Sequence, residues 1–226
     1  MQEPYLTIIR ALQDQGFNGD ILEDKENRAR YATDESIFSI MPELVLVPKT
    51  ALDVAKAVRV VKAHATDKQP ISLTPRAAGT GLAGGSLNDS IIIDTTTYLN
   101  SHSCPREQGD DVLLHAEPGA YFRDIEKTLK GMVREIPVYP ASKDICCIGG
   151  MIGNNAAGAT SLTYGHFVEF VVSVDVVLQD GVTYTLRPWT WDVLQEVLSY
   201  DNELSRIARA VLDLIETNEE LIRNAK

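Results

Sequence analysis

Gly79, Gly81 and Gly84 stand in a Gly-x-Gly-x-x-Gly pattern just after Arg76. The run around them is Thr74-Pro75-Arg76-Ala77-Ala78-Gly79-Thr80-Gly81-Leu82-Ala83-Gly84-Gly85-Ser86, with four glycines and three alanines. Few side chains separate its backbone from a ligand, so its N–H groups can close on one. A concave row of N–H groups beside an arginine suits a phosphate or diphosphate. The spacing matches the dinucleotide-binding fingerprint, but that fingerprint needs a helix behind it to aim its dipole at the pyrophosphate. Gly84-Gly85-Ser86 and Asn88-Asp89 form helices poorly, and Asn88-Asp89-Ser90 reads as a turn before Ile91. The expectation is a phosphate nest joining two strands. Its structural alternative is a flexible Gly/Ala connector.

A second run has the same character: Ile148-Gly149-Gly150-Met151-Ile152-Gly153-Asn154-Asn155-Ala156-Ala157-Gly158. Asn154 and Asn155 add donors and acceptors on short stems. An extended ligand with a diphosphate centre could use both runs, one for the diphosphate and the other for a nucleotide or ring system. Other chemistry is poorly represented. Cys104, Cys146 and Cys147 have no zinc-site spacing, and the four histidines are scattered, so no metal site is expected.

Several elements must position these runs. Residues 44–47 form a buried strand ended by Pro48. Thr50 caps a helix over 51–65, whose stripe is Leu52, Ala55, Val58 and Val61 or Lys62. Strand 71–73, the glycine loop and strand 91–93 complete a strand-helix-strand-loop-strand lobe. Before it, residues 4–14 form a helix, 20–31 a short helix or wrapping segment, and 33–41 an irregular stretch. After it come a polar turn region over 100–110 and a strand over 112–115. A helix over 121–130 turns Ile125 and Leu129 inward, and a proline-broken stretch covers 137–144. A long buried strand is expected over 170–178, with a hairpin at Asp180-Gly181 leading to 182–186. Residues 190–225 are helical in pattern.

Composition excludes several classes. A net charge of -11 argues against a nucleic-acid or anionic-membrane surface, so any phosphate site is local and backbone-built. Hydrophobic residues make up 44% of the chain, enough for a sizeable core. Three cysteines, two of them adjacent, do not form a disulfide framework, which points to a reducing, cytoplasmic setting. Neither a signal peptide nor a transmembrane segment is expected.

Taken together, Pro75-Arg76-Ala77-Ala78-Gly79-Thr80-Gly81-Leu82-Ala83-Gly84-Gly85 and Ile148-Gly149-Gly150-Met151-Ile152, Asn155-Ala156-Ala157-Gly158 and Tyr164-Gly165 resemble the FAD-binding domain of the vanillyl-alcohol-oxidase or PCMH type. That is the domain of FAD-linked oxidases, including D-lactate, glycolate and D-2-hydroxyglutarate dehydrogenases. The resemblance covers about residues 42–187. Tyr31-Ala32-Thr33-Asp34-Glu35-Ser36 looks like the large bacterial D-2-hydroxy-acid dehydrogenases of that group.

The resemblance implies an α+β, two-lobed FAD-binding domain, with lobes 1–100 and 101–226 and FAD in the cleft between them. It implies a flavoprotein oxidoreductase that passes a hydride from a 2-hydroxy acid to non-covalently bound FAD. Contacts to the diphosphate fall to Arg76, Ala77, Ala78, Gly79, Thr80 and Gly81. Contacts to the ribityl chain, adenosine and flavin ring fall to Pro140, Cys147, Ile148, Gly149, Gly150, Gly153, Asn154, Asn155, Ala157 and Gly158. Ala77 stands where glycine is usual, Cys147 where threonine or serine is usual, and Ala157 where serine is common. A covalent link through Cys146, Cys147 or His166 is not expected. The family's substrate cap would begin after Lys226, so the chain reads as an FAD domain without its cap, inactive alone, and no catalytic acid–base residue is assigned. Two other classes use the same loops: a nucleotide-binding module without redox activity, and a nicotinamide-dependent Rossmann enzyme. The missing helix after Gly84 counts against the latter.

Overall fold

Leu44-Val45-Leu46-Val47 and Ile91-Ile92-Ile93 offer no polar position to turn toward water, so the strands they form must be covered on both faces. The computed structural model describes residues 3–66, 68 and 70–225 and covers them in that way. Met1, Gln2 and Lys226, on which expectations about the chain's ends fall, lie outside the described residues. The described chain divides into two compact units, Met1–Val171 and Val172–Lys226.

The first unit opens with α1 (Glu3–Asp14), β1 (Gly19–Leu22), α2 (Lys25–Ala29), β2 (Leu44–Pro48), α3 (Ala51–His64), β3 (Leu73–Arg76) and β4 (Ile91–Asp94). The strands form a four-stranded sheet in the order β1-β2-β4-β3. The pair β1–β2 is antiparallel, whereas β4 runs parallel to both β2 and β3. Side chains alternate across the sheet, as strand geometry requires. Leu44, Leu46, Ile91 and Ile93 meet Ile8, Leu12, Ala57 and Val60 of α1 and α3. Val45, Val47 and Ile92 meet Leu22 and Tyr31 on the other face.

The expected elements are present here with shifted details. Strand β3 starts two residues later than the apolar run 71–73 and continues through Pro75, which an edge strand tolerates because its N–H side needs no partner. No helix follows Gly84, as expected. Strand β1 pairs through residues that read as a wrapping segment. The stripe of α3 is rotated: Leu52 is exposed, while Asp53, Ala57, Val60 and Val61 are buried. Asp53 fixes that rotation by accepting from Thr50 N–H, Thr50 Oγ1 and Asn18 N–H, which closes a capping box.

The rest of the first unit has its own core. Strand β5 (Arg106–Gln108) stands where a polar turn was expected and pairs with β6 (Asp111–Leu113), which overlaps the strand expected over 112–115; Gly109 turns the hairpin at φ +64°. Next come α4 (Phe122–Lys130), α5 (Ile148–Gly153), α6 (Ser161–Tyr164) and a 3₁₀ turn, Phe167–Phe170. Phe122, Ile125 and Leu129 of α4 pack with Ile148 and Met151 of α5 and with Phe167.

The second unit holds β7 (Val174–Val177), β8 (Thr183–Leu186), α7 (Trp191–Ser199), α8 (Glu203–Thr217) and α9 (Glu219–Asn224). Thr190 and Asn202 cap α7 and α8 with their side chains. An apolar cavity of about 420 Å³ lies among Leu186, Trp189, Trp191, Leu194, Ile207 and Val211. The long buried strand expected over 170–178 is corrected: only Val174–Val177 pairs, and Phe170 and Val172 are exposed. None of the four residues of β7 is fully buried.

Candidate functional site

Because β3 and β4 are parallel and adjacent, the chain must return from the end of one strand to the start of the other over residues 77–90. Gly79 at φ +69° and Gly84 at φ +74° turn it, in a backbone region that side chains resist. Among the described residues, no backbone carbonyl takes the N–H of Ala77, Gly79, Thr80 or Gly81. Nothing stands within 4 Å of where a Cβ would be at Gly81 or Gly85. The loop therefore offers amide donors and open space together, as an anion nest requires.

The Arg76 side chain is held inside the protein. Its guanidinium is buried, donates from Nη2 to Thr33 O at 2.8 Å and from Nη1 to Tyr31 O at 3.3 Å, and lies 5.7 Å from the centre of the Tyr31 ring. Burial pulls its pKa down, and the charge of Asp34 opposes that pull. It anchors the 31–33 backbone to the end of β3, and its own carbonyl takes Thr95 N–H.

The second run is a helix rather than an open loop. Helix α5 ends in a Schellman motif: Ala156 N–H donates to Met151 O, Asn155 N–H to Ile152 O, and Asn155 takes φ +44°. Asn154 Nδ2 donates to Gly150 O, and Asn155 Oδ1 accepts Val168 N–H. The amides of Ile148 and Gly149 go to Ala120 O and Pro118 O, and that of Gly158 to Ser161 Oγ. Most polar groups of this run thus have partners inside the protein. Its glycines are of two kinds. A Cβ on Gly149 would lie 2.7 Å from Pro118 Cβ, and one on Gly158 would overlap the Tyr139 carbonyl oxygen, with Pro140 Cα 3.6 Å away. By contrast Gly153 faces open space, and Asn154 and Ala157 are exposed beside it.

The two runs meet at two points. A Cβ on Gly150 would come 3.9 Å from Ala77 Cβ. The Ala78 N–H lies against the Cys147 thiol. Burial pushes that thiol up to about 12, the neighbouring Cys146 adds to the rise, and the Ala78 amide works against it. Cys146 is likewise buried and raised by burial, whereas His166 is exposed. All three cysteines are free thiols. No group of metal-ligating side chains occurs among the described residues.

Sequence reasoning gave no physical role to the segment in contact with the first loop. Glu35 N–H donates to Gly79 O, and Ser86 Oγ donates to Asp34 Oδ2. Asp94, buried at the end of β4, accepts from Tyr31 OH, Thr96 N–H, Thr96 Oγ1 and Thr97 Oγ1. Burial and this bond to Asp94 push the Tyr31 hydroxyl well up. The readable signal was Asp34-x-Ser36, an aspartate placed to accept the N–H two residues on.

The model of the FAD binding domain family matches residues 42–187, more than half of the chain, and this protein belongs to that family. Its curated relatives include the D-2-hydroxyglutarate dehydrogenase of Pantoea ananatis, 29% identical over 96% of this chain and 21% of the relative. The enzyme of the same name from Escherichia coli is 27% identical over the same shares. The glycolate oxidase subunit of Bacillus subtilis is 24% identical over 64% of this chain and 29% of its own length. The chain thus spans about a fifth of the length of the dehydrogenases it matches. Among solved structures, alkyldihydroxyacetonephosphate synthase superposes with a TM-score of 0.66 at 18% identity, over 86% of this chain and 36% of that one. A chitooligosaccharide oxidase gives 0.63 at 15%, over 80% and 37%. These likenesses establish the α+β fold of the PCMH type. FAD is the cofactor of this domain family, and the open amides of Ala77, Gly79, Thr80 and Gly81, with Gly150 beside Ala77, fit it.

Proposed function

We propose that this chain is the FAD-holding part of a flavin-dependent dehydrogenase acting on a 2-hydroxy acid of the D-2-hydroxyglutarate, D-lactate or glycolate kind. The observation that carries the reading is the meeting of the two runs: Ala77 beside Gly150 and Ala78 against Cys147, next to amides with no internal acceptor. Residues 76–81 line the diphosphate, most directly through the amides of Gly79, Thr80 and Gly81. Pro140, Cys147, Ile148, Gly149, Gly150, Gly153, Asn154, Asn155, Ala157 and Gly158 build the wall for the ribityl chain and ring systems. Within that wall Gly150, Gly153 and Ala157 form the contact surface, and Gly149 and Gly158 hold it in shape. FAD, when bound, supplies an acceptor for the hydride that leaves the hydroxyl-bearing carbon.

The lobe boundary is placed near residue 100, since the core about the first sheet draws on residues before it and the core of α4 and α5 on residues after it. Names of the relatives support the substrate class. Free thiols support a reducing, cytoplasmic setting, and no helix among the described residues is long and apolar enough to cross a membrane.

FAD is held without a covalent bond: the first loop has no His or Cys, and burial of Cys146 and Cys147 raises both thiols and disfavours the thiolate that would attack a flavin. Purified chain incubated with FAD and gel-filtered should keep the yellow flavin. Acid precipitation should then release it all to the supernatant. Flavin left in the pellet would overturn the non-covalent reading, and no uptake would overturn the FAD reading. With the chain extended to the length of its dehydrogenase relatives, D-2-hydroxyglutarate should bleach the flavin band.

A further inference from the structure

Residues 31–36 form only an isolated bridge at Thr33 and otherwise no regular element, yet they are tied to both ends of the glycine loop. Glu35 N–H donates to Gly79 O at 3.1 Å. Asp34 accepts Ser86 Oγ at 2.9 Å through Oδ2 and Ser36 N–H at 2.8 Å through Oδ1. The segment is itself anchored to the sheet, by Arg76 through Thr33 O and by Tyr31 OH through Asp94. Phe38 closes the far side, for a Cβ on Gly84 would lie 2.8 Å from its ring.

A trans peptide unit is planar, with its C=O and N–H pointing in opposite directions. Once Gly79 C=O is drawn to Glu35, the Thr80 N–H of the same unit must point away from residues 31–36. An anion on the open side of the loop needs that orientation.

Resting on the FAD reading above, we infer that residues 31–36 are a strap that sets the anion-binding conformation of the glycine loop, with Asp34 as its positioning residue. A carboxylate is the wrong charge to face a diphosphate, so Asp34 acts through Ser86 and Ser36 and not on the ligand. This gives the effect a definite sign. Removing a negative charge near an anion site strengthens binding by electrostatics alone. Removing a tie that shapes the site weakens it.

Asp34→Asn and Ser86→Ala chains are titrated with FAD by flavin fluorescence, and hydrogen exchange of amides 77–87 is followed without FAD. Asp34→Asn should weaken FAD binding about tenfold, as expected for losing one hydrogen bond to a charged acceptor. Ser86→Ala, which changes no charge, should weaken it in the same direction. Both should speed loop exchange while β2 and β4 keep wild-type protection. Tighter or unchanged FAD binding by Asp34→Asn overturns the proposal, and so does unchanged loop exchange. If Asp34→Asn does not fold, Ser86→Ala decides by the same readouts. If wild-type chain takes up no FAD, the flavin reading fails, and loop exchange still decides whether the strap shapes the loop.

Discussion

The two glycine-rich runs use one residue type for opposite purposes. In residues 77–86 glycine serves the backbone's own shape and the space outside it: Gly79 and Gly84 take left-handed conformations, and Gly81 and Gly85 face nothing. In residues 148–158 two of the four glycines instead serve close packing inside the protein, because Gly149 meets Pro118 and Gly158 meets the Tyr139 carbonyl. The amides differ in the same way. Those of Ala77, Gly79, Thr80 and Gly81 have no backbone acceptor among the described residues, whereas Ile148, Gly149, Asn155 and Gly158 all donate internally. Glycine density thus marks where a backbone comes close to something. Whether that something is a ligand or another strand of the same chain depends on the third dimension.

The largest test of this contrast sets Gly158→Ala against Gly81→Ala. A methyl at 158 overlaps a carbonyl oxygen that only a backbone shift can move, so the expected loss of stability is about 3 kcal/mol, the upper range for overpacking. At Gly81 a methyl meets nothing, so stability should stay within about 0.5 kcal/mol, as for a surface change, and FAD binding should weaken. Urea denaturation of both variants beside wild type measures the difference. Equal losses would erase the distinction between the two runs.

Gly79→Val comes next and sharpens what the first run is for. Gly79 sits at φ +69°, and its Cβ would lie 2.6 Å from Arg76 Nη2. Left-handed strain costs about 1–2 kcal/mol, so the fold should survive. The displaced amides should lose FAD by a hundredfold or more, about 2.7 kcal/mol. Flavin content and far-UV circular dichroism on the same sample check this. A folded variant with full flavin would make the loop a mere connector.

The smallest effect concerns Cys147, where the runs touch. Burial raises its thiol from an ordinary 9.0 to about 12. The folded state therefore keeps a proton that the unfolded chain releases above pH 9. Stability from this group is complete below pH 9 and falls as pH rises toward 12, by up to about 1.4 kcal/mol per pH unit. Denaturation at pH 8.5 and 10 should show a shallower decline for Cys147→Ala than for wild type. Identical declines would mean the thiol is not held protonated.

The amino-acid order by itself determined the elements whose signal is local. The apolar runs 44–47 and 91–93 became β2 and β4, Thr50 capped α3, and the turn formers after Gly84 kept a helix from following the first loop. It also pointed to the family through the two glycine runs and their order, despite unusual residues at Ala77, Cys147 and Ala157. Tertiary structure decided the rest. Poor helix formers at Gly149, Gly150 and Gly153 became α5 because close packing on Pro118 and a Schellman end at Asn155 outweigh propensity. The stripe of α3 turned because one buried carboxylate, Asp53, closes a local capping box with Thr50 and takes a further donor from across the fold, Asn18 N–H. Arg76, which reads as an anion partner, was taken by the carbonyls of Tyr31 and Thr33, residues far from it in the chain. A spacing pattern records what a residue can bind; a buried donor takes the acceptor that folding brings to it, since leaving that donor unpaired would cost more than any preference written locally.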